Sequence, residues 1–193
     1  MARRVVRPSP HSMRISTIAA VAMNGVIGKD NDLVWNLRDD MKFFMDTTKG
    51  HVVITGRRNY ESIPEKYRPL KGRTNVVVTR NERYLAEGAV VVHSLQDGID
   101  LARARGETEC FIIGGGQIYR EALASGQVDT QYITHVHAEP EGDTHYPLEG
   151  WRGWVGEELG RGSADAHHEH AYIIMRYDRP ADADHVGLST DSQ

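Results

Sequence analysis

Apolar residues fall along this chain in short blocks whose spacing alternates between that of a strand and that of a helix. Ile15–Ala22 is an apolar run, diluted by Ser16 and Thr17, that leads into the turn signal Asn24-Gly25. It predicts a buried first strand followed by a loop through Gly25, Gly28 and Asn31. Leu37, Met41, Phe44 and Thr48 then recur at helical spacing. They predict a helix that the Asn36 side chain caps and Gly50 ends. His51–Ile54, Asn75–Thr79, Ala89–Val92, Cys110–Ile113 and Thr130–Ala138 read as further strands. The segment opened by Gly56, Leu95–Arg105 and Gly116–Ala124 read as helices. Strands alternating with helices imply an α/β fold, a mostly parallel twisted central sheet with helices on both faces. Beyond position 150 the alternation stops. Trp154–Leu159 and Ala171–Tyr177 have no helix between them and predict a C-terminal antiparallel strand pair.

Composition narrows the class. The 193 residues suffice for one well-buried domain, and 39% hydrophobic with 26% charged residues is globular usage. A formal net charge of -4 argues against bulk attraction to nucleic acid or to an anionic membrane. No apolar run approaches the ~20 residues of a membrane-spanning helix. Arg3, Arg4 and Arg7 precede the Ile15–Met23 stretch in the manner of a signal peptide, but Pro8, His11 and Arg14 interrupt the approach. Residues 1–12 are therefore expected to be an extension, flexible or foreign to the natural protein, with Met13 as the natural start. Residues 13–178 are expected to form the domain and 179–193 a flexible polar tail. The one cysteine, Cys110, lies in an apolar run and is expected to be a buried small hydrophobe. It cannot form an internal disulfide, which suits a reducing, cytoplasmic setting. A monomer is expected.

Three features carry chemistry. Gly114-Gly115-Gly116 stands directly after one predicted strand and before a predicted helix. Glycine lets backbone approach a ligand closely, and a helix start offers unpaired N–H groups to a phosphate. Tyr119 occupies the place of the last glycine in a G-x-G-x-x-G fingerprint, so a tight structural turn is a competing reading. Gly56-Arg57-Arg58 repeats the arrangement at a second junction, and Arg80 ends the next predicted strand. Arginine forks suit phosphate oxygens, and together these favour a phosphorylated dinucleotide such as NADPH over NADH. Any one of the arginines alone is better explained as a solvated surface charge. Finally, Asp40 shares a helical face with Leu37 and Phe44, close to Trp35, whereas Asp39 falls on the wet side. Both acids could simply complement the helix dipole. Alternatively, a carboxylate on an apolar face needs a partner, and a ring with two adjacent N–H donors would supply one.

The motifs Trp35–Asp40, Gly56–Ile63, Arg68–Arg73, Ile113–Tyr119 and Glu141–Pro147 resemble dihydrofolate reductases, in that family's order, across roughly Ile15 to Tyr177. The resemblance implies NADPH-dependent reduction of 7,8-dihydrofolate, with antifolates such as methotrexate as ligands. It implies that Asp40 binds the pterin ring nitrogen and 2-amino group, with Trp35 and Thr134 completing the catalytic set. Ile18, Ala20, Met41, Phe44, Ile63, Leu70, Ile113 and Tyr119 would line the substrate site, and Arg73 would pair with the glutamate-tail carboxylate. Ala20, Ile27, Gly28, Gly56, Asn59, Gly115, Gly116, Gln117 and Ile118 would contact the cofactor. Arg57, Arg58, Thr79 and Arg80 would surround its adenosine phosphates. The loop Met23–Leu37 would be a mobile lid. Val34 stands where proline is common in the family, Asn59 where threonine is commoner, and Gln117 where a basic residue sometimes follows the glycines.

Other residues are assigned no chemistry. His167, His168 and His170 lack metal-ligand spacing and are expected in a solvated loop, with no metal site. His135, His137 and His145 receive no catalytic role, and Trp151 and Trp154 are expected to pack. Two rivals remain. A pyrimidine reductase of riboflavin synthesis shares the fold and cofactor logic but carries no expectation of the Trp35…Asp40 arrangement. A catalytically silent dinucleotide-binding protein needs no acid on an apolar face.

Overall fold

The computed structural model describes residues 12–30, 32 and 34–181. In chain order its elements are β1 (Arg14–Ala22), β2 (Val26–Gly28), α1 (Arg38–Thr48), β3 (Val52–Gly56), α2 (Arg57–Ser62), β4 (Thr74–Val78) and β5 (Val90–Val92). They continue as α3 (Leu95–Ala104), β6 (Glu109–Gly114), α4 (Gly116–Ala124), β7 (Thr130–Val136), β8 (Thr144–His145), β9 (Val155–Gly162) and β10 (Tyr172–Asp178). Eight strands form one sheet in the order β5-β4-β3-β6-β1-β7-β10-β9. The first six run parallel, and β10 and β9 add antiparallel. The alternation of strands and helices, and its end near position 150, thus translate directly into the sheet.

The central strands are covered on both faces, so their sequences are nearly continuous apolar runs. Val52, Val53, Ile54, Val76, Val77, Cys110 and Ile112 are all fully buried. The Cys110 thiol, taken from water and facing the charge of Glu107, is pushed up to about 12. A thiolate reagent should therefore leave the native protein unlabelled and label it in urea. Labelling at the same rate in both states would refute the inert packing role.

Strands β2 and β8 pair as a separate two-stranded sheet that the sequence pattern did not suggest. At three and two residues they are too short to show a periodicity. Trp151 stacks between Tyr146 and Tyr177, and the edge of His135 meets it, in the packing role expected. Arg179, expected in the tail, is bonded to the domain. Its N–H donates to the Asp129 carbonyl at 2.9 Å and its Nη1 to Gly126 at 2.6 Å. Of the expected extension 1–12 and tail 179–193, residues 1–11 and 182–193, like Asn31 in the predicted loop, lie outside the described residues.

Two local expectations fail together. Asn36 does not cap α1; Leu37 holds the N-cap position, and the helix has no side-chain cap there. Nor do the three histidines all lie in a solvated loop, because His168 is only 7% exposed. The carbonyl of His167 accepts from Arg38 N–H at 3.3 Å, and Nε2 of His168 accepts from Asp39 N–H at 3.1 Å. The start of α1 is satisfied from 129 residues away, a partner no local pattern reveals.

Candidate active site

The parallel strands β1, β3, β4 and β6 point their carboxyl ends the same way, and a cleft of about 1570 Å³ opens there. In open α/β sheets this is the edge at which ligands bind. With one exception, every residue assigned to substrate, cofactor or catalysis from the sequence lines this cleft. The exception is Thr134, which stands behind the wall and is 2% exposed.

Around Asp40, at one end of the cleft, the lining is largely apolar. Ile18 and Ala20 from β1, Met41 and Phe44 from α1, Ile63, Leu70 and Ile113 form its walls. Met41 is 46% exposed, so apolar surface is left uncovered here for a ligand. Asp40 projects from the first turn of α1, and Thr134 Oγ1 donates to its Oδ1 at 2.6 Å. The sheet register explains the meeting: Thr134 lies opposite Ala20 of β1 and Ile174 of β10, in mid-sheet beneath α1. Burial raises the Asp40 pKa above its ordinary value, and the Thr134 hydrogen bond opposes that rise. Asp39 turns away and accepts from the Tyr172 hydroxyl at 2.8 Å. Trp35 is buried at the cleft wall, packed with Ala22, Val26 and Leu37.

The other end is built from glycines and arginines. The Gly114–Gly115 peptide bond is cis, and Gly114 has φ +113°. A Cβ on Gly114 would sit 3.0 Å from the Tyr119 ring, and one on Gly116 would sit 2.9 Å from Thr144. Only glycine lets the chain pass here. Gly115 is the N-cap of α4 and supplies no side-chain cap, and Gly115, Gly116 and Gln117 at the start of that helix line the cleft. Arg57, Arg58, Thr79 and Arg80 line the far part. Arg57 lies 3.6 Å from Glu61 and 5.9 Å from the Tyr84 ring. Asn59 spends its amide donors inside the chain, on Thr55 Oγ1 at 2.9 Å and the Ile113 carbonyl at 3.3 Å. It braces the junction more than it offers hydrogen to a ligand. Tyr119 joins the two ends: its hydroxyl donates to the Ile18 carbonyl at 2.6 Å, and burial keeps the phenol un-ionised.

Several lining residues have no signal in the sequence, among them Lys66, His93 and Ser94. His93 and Ser94 follow β5, so their place at a carboxyl end of a parallel strand was the available clue.

The family sequence model for dihydrofolate reductase matches residues 14–179. The chain belongs to the dihydrofolate reductase family. It is 45% identical over 163 residues to the type 3 dihydrofolate reductase of Salmonella typhimurium, covering 83% of this chain and 93% of that one. It is 39% identical over 165 residues to the dihydrofolate reductase of Bacillus subtilis, covering 86% and 94%. Among solved structures, the dihydrofolate reductase of Enterococcus faecalis complexed with NADP(H) and RAB-propyl superimposes with a TM-score of 0.75. That match has 33% identity and covers 86% of this chain and 96% of that one. This dihydrofolate reductase cleft therefore combines an acid on an apolar wall with a glycine-arginine end, both formed by one chain.

Within it, Thr134→Val tests the support of Asp40. Valine keeps the shape and removes the hydroxyl, so roughly tenfold should be lost from kcat/KM for dihydrofolate, the scale of a hydrogen bond to a charge. An unchanged kcat/KM would show that the bond does not matter to turnover.

Proposed function

We propose that the cleft holds NADPH and 7,8-dihydrofolate side by side, with Asp40 accepting two hydrogen bonds from the pterin. Family membership makes the chain an NADPH-dependent oxidoreductase that reduces 7,8-dihydrofolate to 5,6,7,8-tetrahydrofolate. The observation that carries the assignment of roles is the Asp40–Thr134 pair on an otherwise apolar wall. A carboxylate placed so pays for its desolvation only when a ligand brings donors to it.

The residues present fit the cofactor. Side chains at Gly114 and Gly116 would block the cradle, the uncapped start of α4 suits a diphosphate, and three arginines suit the phosphates beyond it. Bound there, the cofactor would supply a hydride from its nicotinamide C4 for C6 of the pterin, with a proton added at N5. Asp40 orients the pterin and, as a carboxylate against its ring N–H and 2-amino group, makes N5 more basic. Ile18, Ala20, Met41 and Phe44 hold the rings and exclude water. Arg73 takes the glutamate-tail carboxylate. Trp35, with Ile27 and Gly28, closes the lid side. Methotrexate, once its diaminopteridine ring is protonated, presents a ring N–H beside an amino group and would compete for Asp40.

Because one chain supplies every wall of the cleft, we infer that the protein works as a monomer. The working unit is residues 13–178 with Arg179. The cytoplasm is the compartment in which a lone thiol stays reduced.

The test follows NADPH oxidation with dihydrofolate, with and without methotrexate, and with the ribosylaminopyrimidine phosphate of riboflavin synthesis. Oxidation with dihydrofolate alone, blocked by methotrexate, is expected. Oxidation with the pyrimidine instead would transfer the site to the rival reductase. Oxidation with neither would leave a silent dinucleotide binder.

A further inference from the structure

The β9–β10 connection, residues 163–171, reaches across the start of α1 and grips it. Nε2 of His168 accepts from Asp39 N–H at 3.1 Å, which places the ring proton on Nδ1. Nδ1 then donates to Asp165 Oδ1 at 2.8 Å, and the same carboxylate oxygen accepts from His167 N–H at 2.8 Å. The imidazole is thus oriented from behind, as a metal-bound or catalytic histidine is by its carboxylate. Tyr172 of β10 lies against the ring at 5.3 Å and donates its hydroxyl to Asp39 Oδ2 at 2.8 Å. Backbone contacts complete the grip, with Arg38 N–H on the His167 carbonyl and Glu169 N–H on the Asn36 carbonyl.

Asp39 is therefore held at both its N–H and its carboxylate. The next residue, in the same helical turn, is Asp40, whose side chain meets Thr134 of β7. Strand β10 pairs with β7, so the sheet that carries Thr134 also carries the Tyr172 part of the grip. Leu37, at the N-cap position, has no side chain able to accept a hydrogen bond. His168 does the work that a local serine or aspartate would do at most helix starts.

We propose that His168 is a positioning residue for Asp40: by capping α1 from a distant loop, it sets where the carboxylate stands in the cleft. The proposal rests on the role given to Asp40 above. Small displacements of a reacting group cost rate steeply, so the cap should be visible in turnover and not only in stability.

The test compares His168→Leu, which fills the space without an acceptor, with His168→Gln, whose amide oxygen can accept from Asp39 N–H. Each is made in the Asp40 protein and in Asp40→Asn, and assayed below its melting transition. His168→Leu should lower kcat/KM for dihydrofolate on the order of tenfold. His168→Gln should restore most of the loss, and the Kd for NADPH should not move. In the Asp40→Asn background, His168→Leu should cost nothing further. An unchanged kcat/KM in His168→Leu, or the same loss in both backgrounds, would overturn the proposal while leaving the Asp40 role intact. If His168→Leu does not fold, Asp165→Ala removes the exposed carboxylate that orients the ring and should give a smaller loss of the same kind. Full activity in Asp165→Ala would count against the proposal. Full activity in Asp40→Asn alone would instead remove the role on which the proposal rests.

Discussion

Asp40→Asn should lower kcat/KM for dihydrofolate by roughly 10²- to 10⁴-fold near neutral pH, the range over which help to a proton transfer at N5 can act. The amide is nearly the same size, and its oxygen can still accept from the Thr134 hydroxyl, now at 2.6 Å from Asp40 Oδ1. What changes is the side facing the ligand, where an NH₂ would meet the pterin's own donors. The loss should therefore fall on catalysis and pterin binding, with the Kd for NADPH unchanged. The free protein should respond in the opposite sense. Burial raises the Asp40 pKa above its ordinary 3.8, so the folded state binds this proton more tightly than the unfolded chain. Stability attributable to the group is thus lost as pH rises from about that ordinary value through the raised one. Asparagine escapes this cost. The urea midpoint of Asp40→Asn should exceed that of wild type at pH 8 by more than at pH 4. A variant that is fully active, or no more stable at pH 8 than at pH 4 relative to wild type, would contradict the environment described for this acid.

Arg73→Lys should raise KM for dihydrofolate by about 10- to 100-fold, the scale of one or two charge-assisted hydrogen bonds. Arg73 donates Nε to the Lys71 carbonyl at 2.9 Å and Nη1 to Thr48 Oγ1 at 3.3 Å. Its guanidinium lies 5.9 Å from the Phe44 ring. Among the described residues, none of the ion pairs engages it with a carboxylate. Burial lowers its pKa, the mark of a cation short of compensation. The fork is held in place by neighbours with donors to spare, and the glutamate-tail carboxylate would satisfy them. Lysine keeps the charge but loses the planar fork and the two anchoring bonds. Binding of NADPH should be unaffected, and equal losses for both ligands would remove Arg73 from the folate end.

How much of this was legible depended on whether the deciding interaction was local. Val52–Ile54 and Val76–Val77 announce buried parallel strands because both faces of the strand are covered. The helical spacing of Leu37, Asp40 and Phe44 placed an acid on an apolar face, and the structure finds it there. Thr134 could be reached only by resemblance, since its use depends on a register linking β7, β1 and α1. The cap of α1 is hidden from any local pattern, because Asn36 is the local candidate, whereas the acceptor is His168, 129 residues from Asp39. The burial of His168 is hidden for the same reason. Strands β2 and β8 escaped notice because backbone pairing, not side-chain pattern, defines them.

The central claim is that hydride reaches C6 of dihydrofolate in a cleft organised by Asp40. Its most direct measurement is the NMR spectrum of tetrahydrofolate formed with NADPH deuterated at the transferable C4 position. One deuterium at C6 is the predicted result, with the same position labelled more slowly by Asp40→Asn. Tetrahydrofolate without deuterium, or with deuterium at C7, would contradict it.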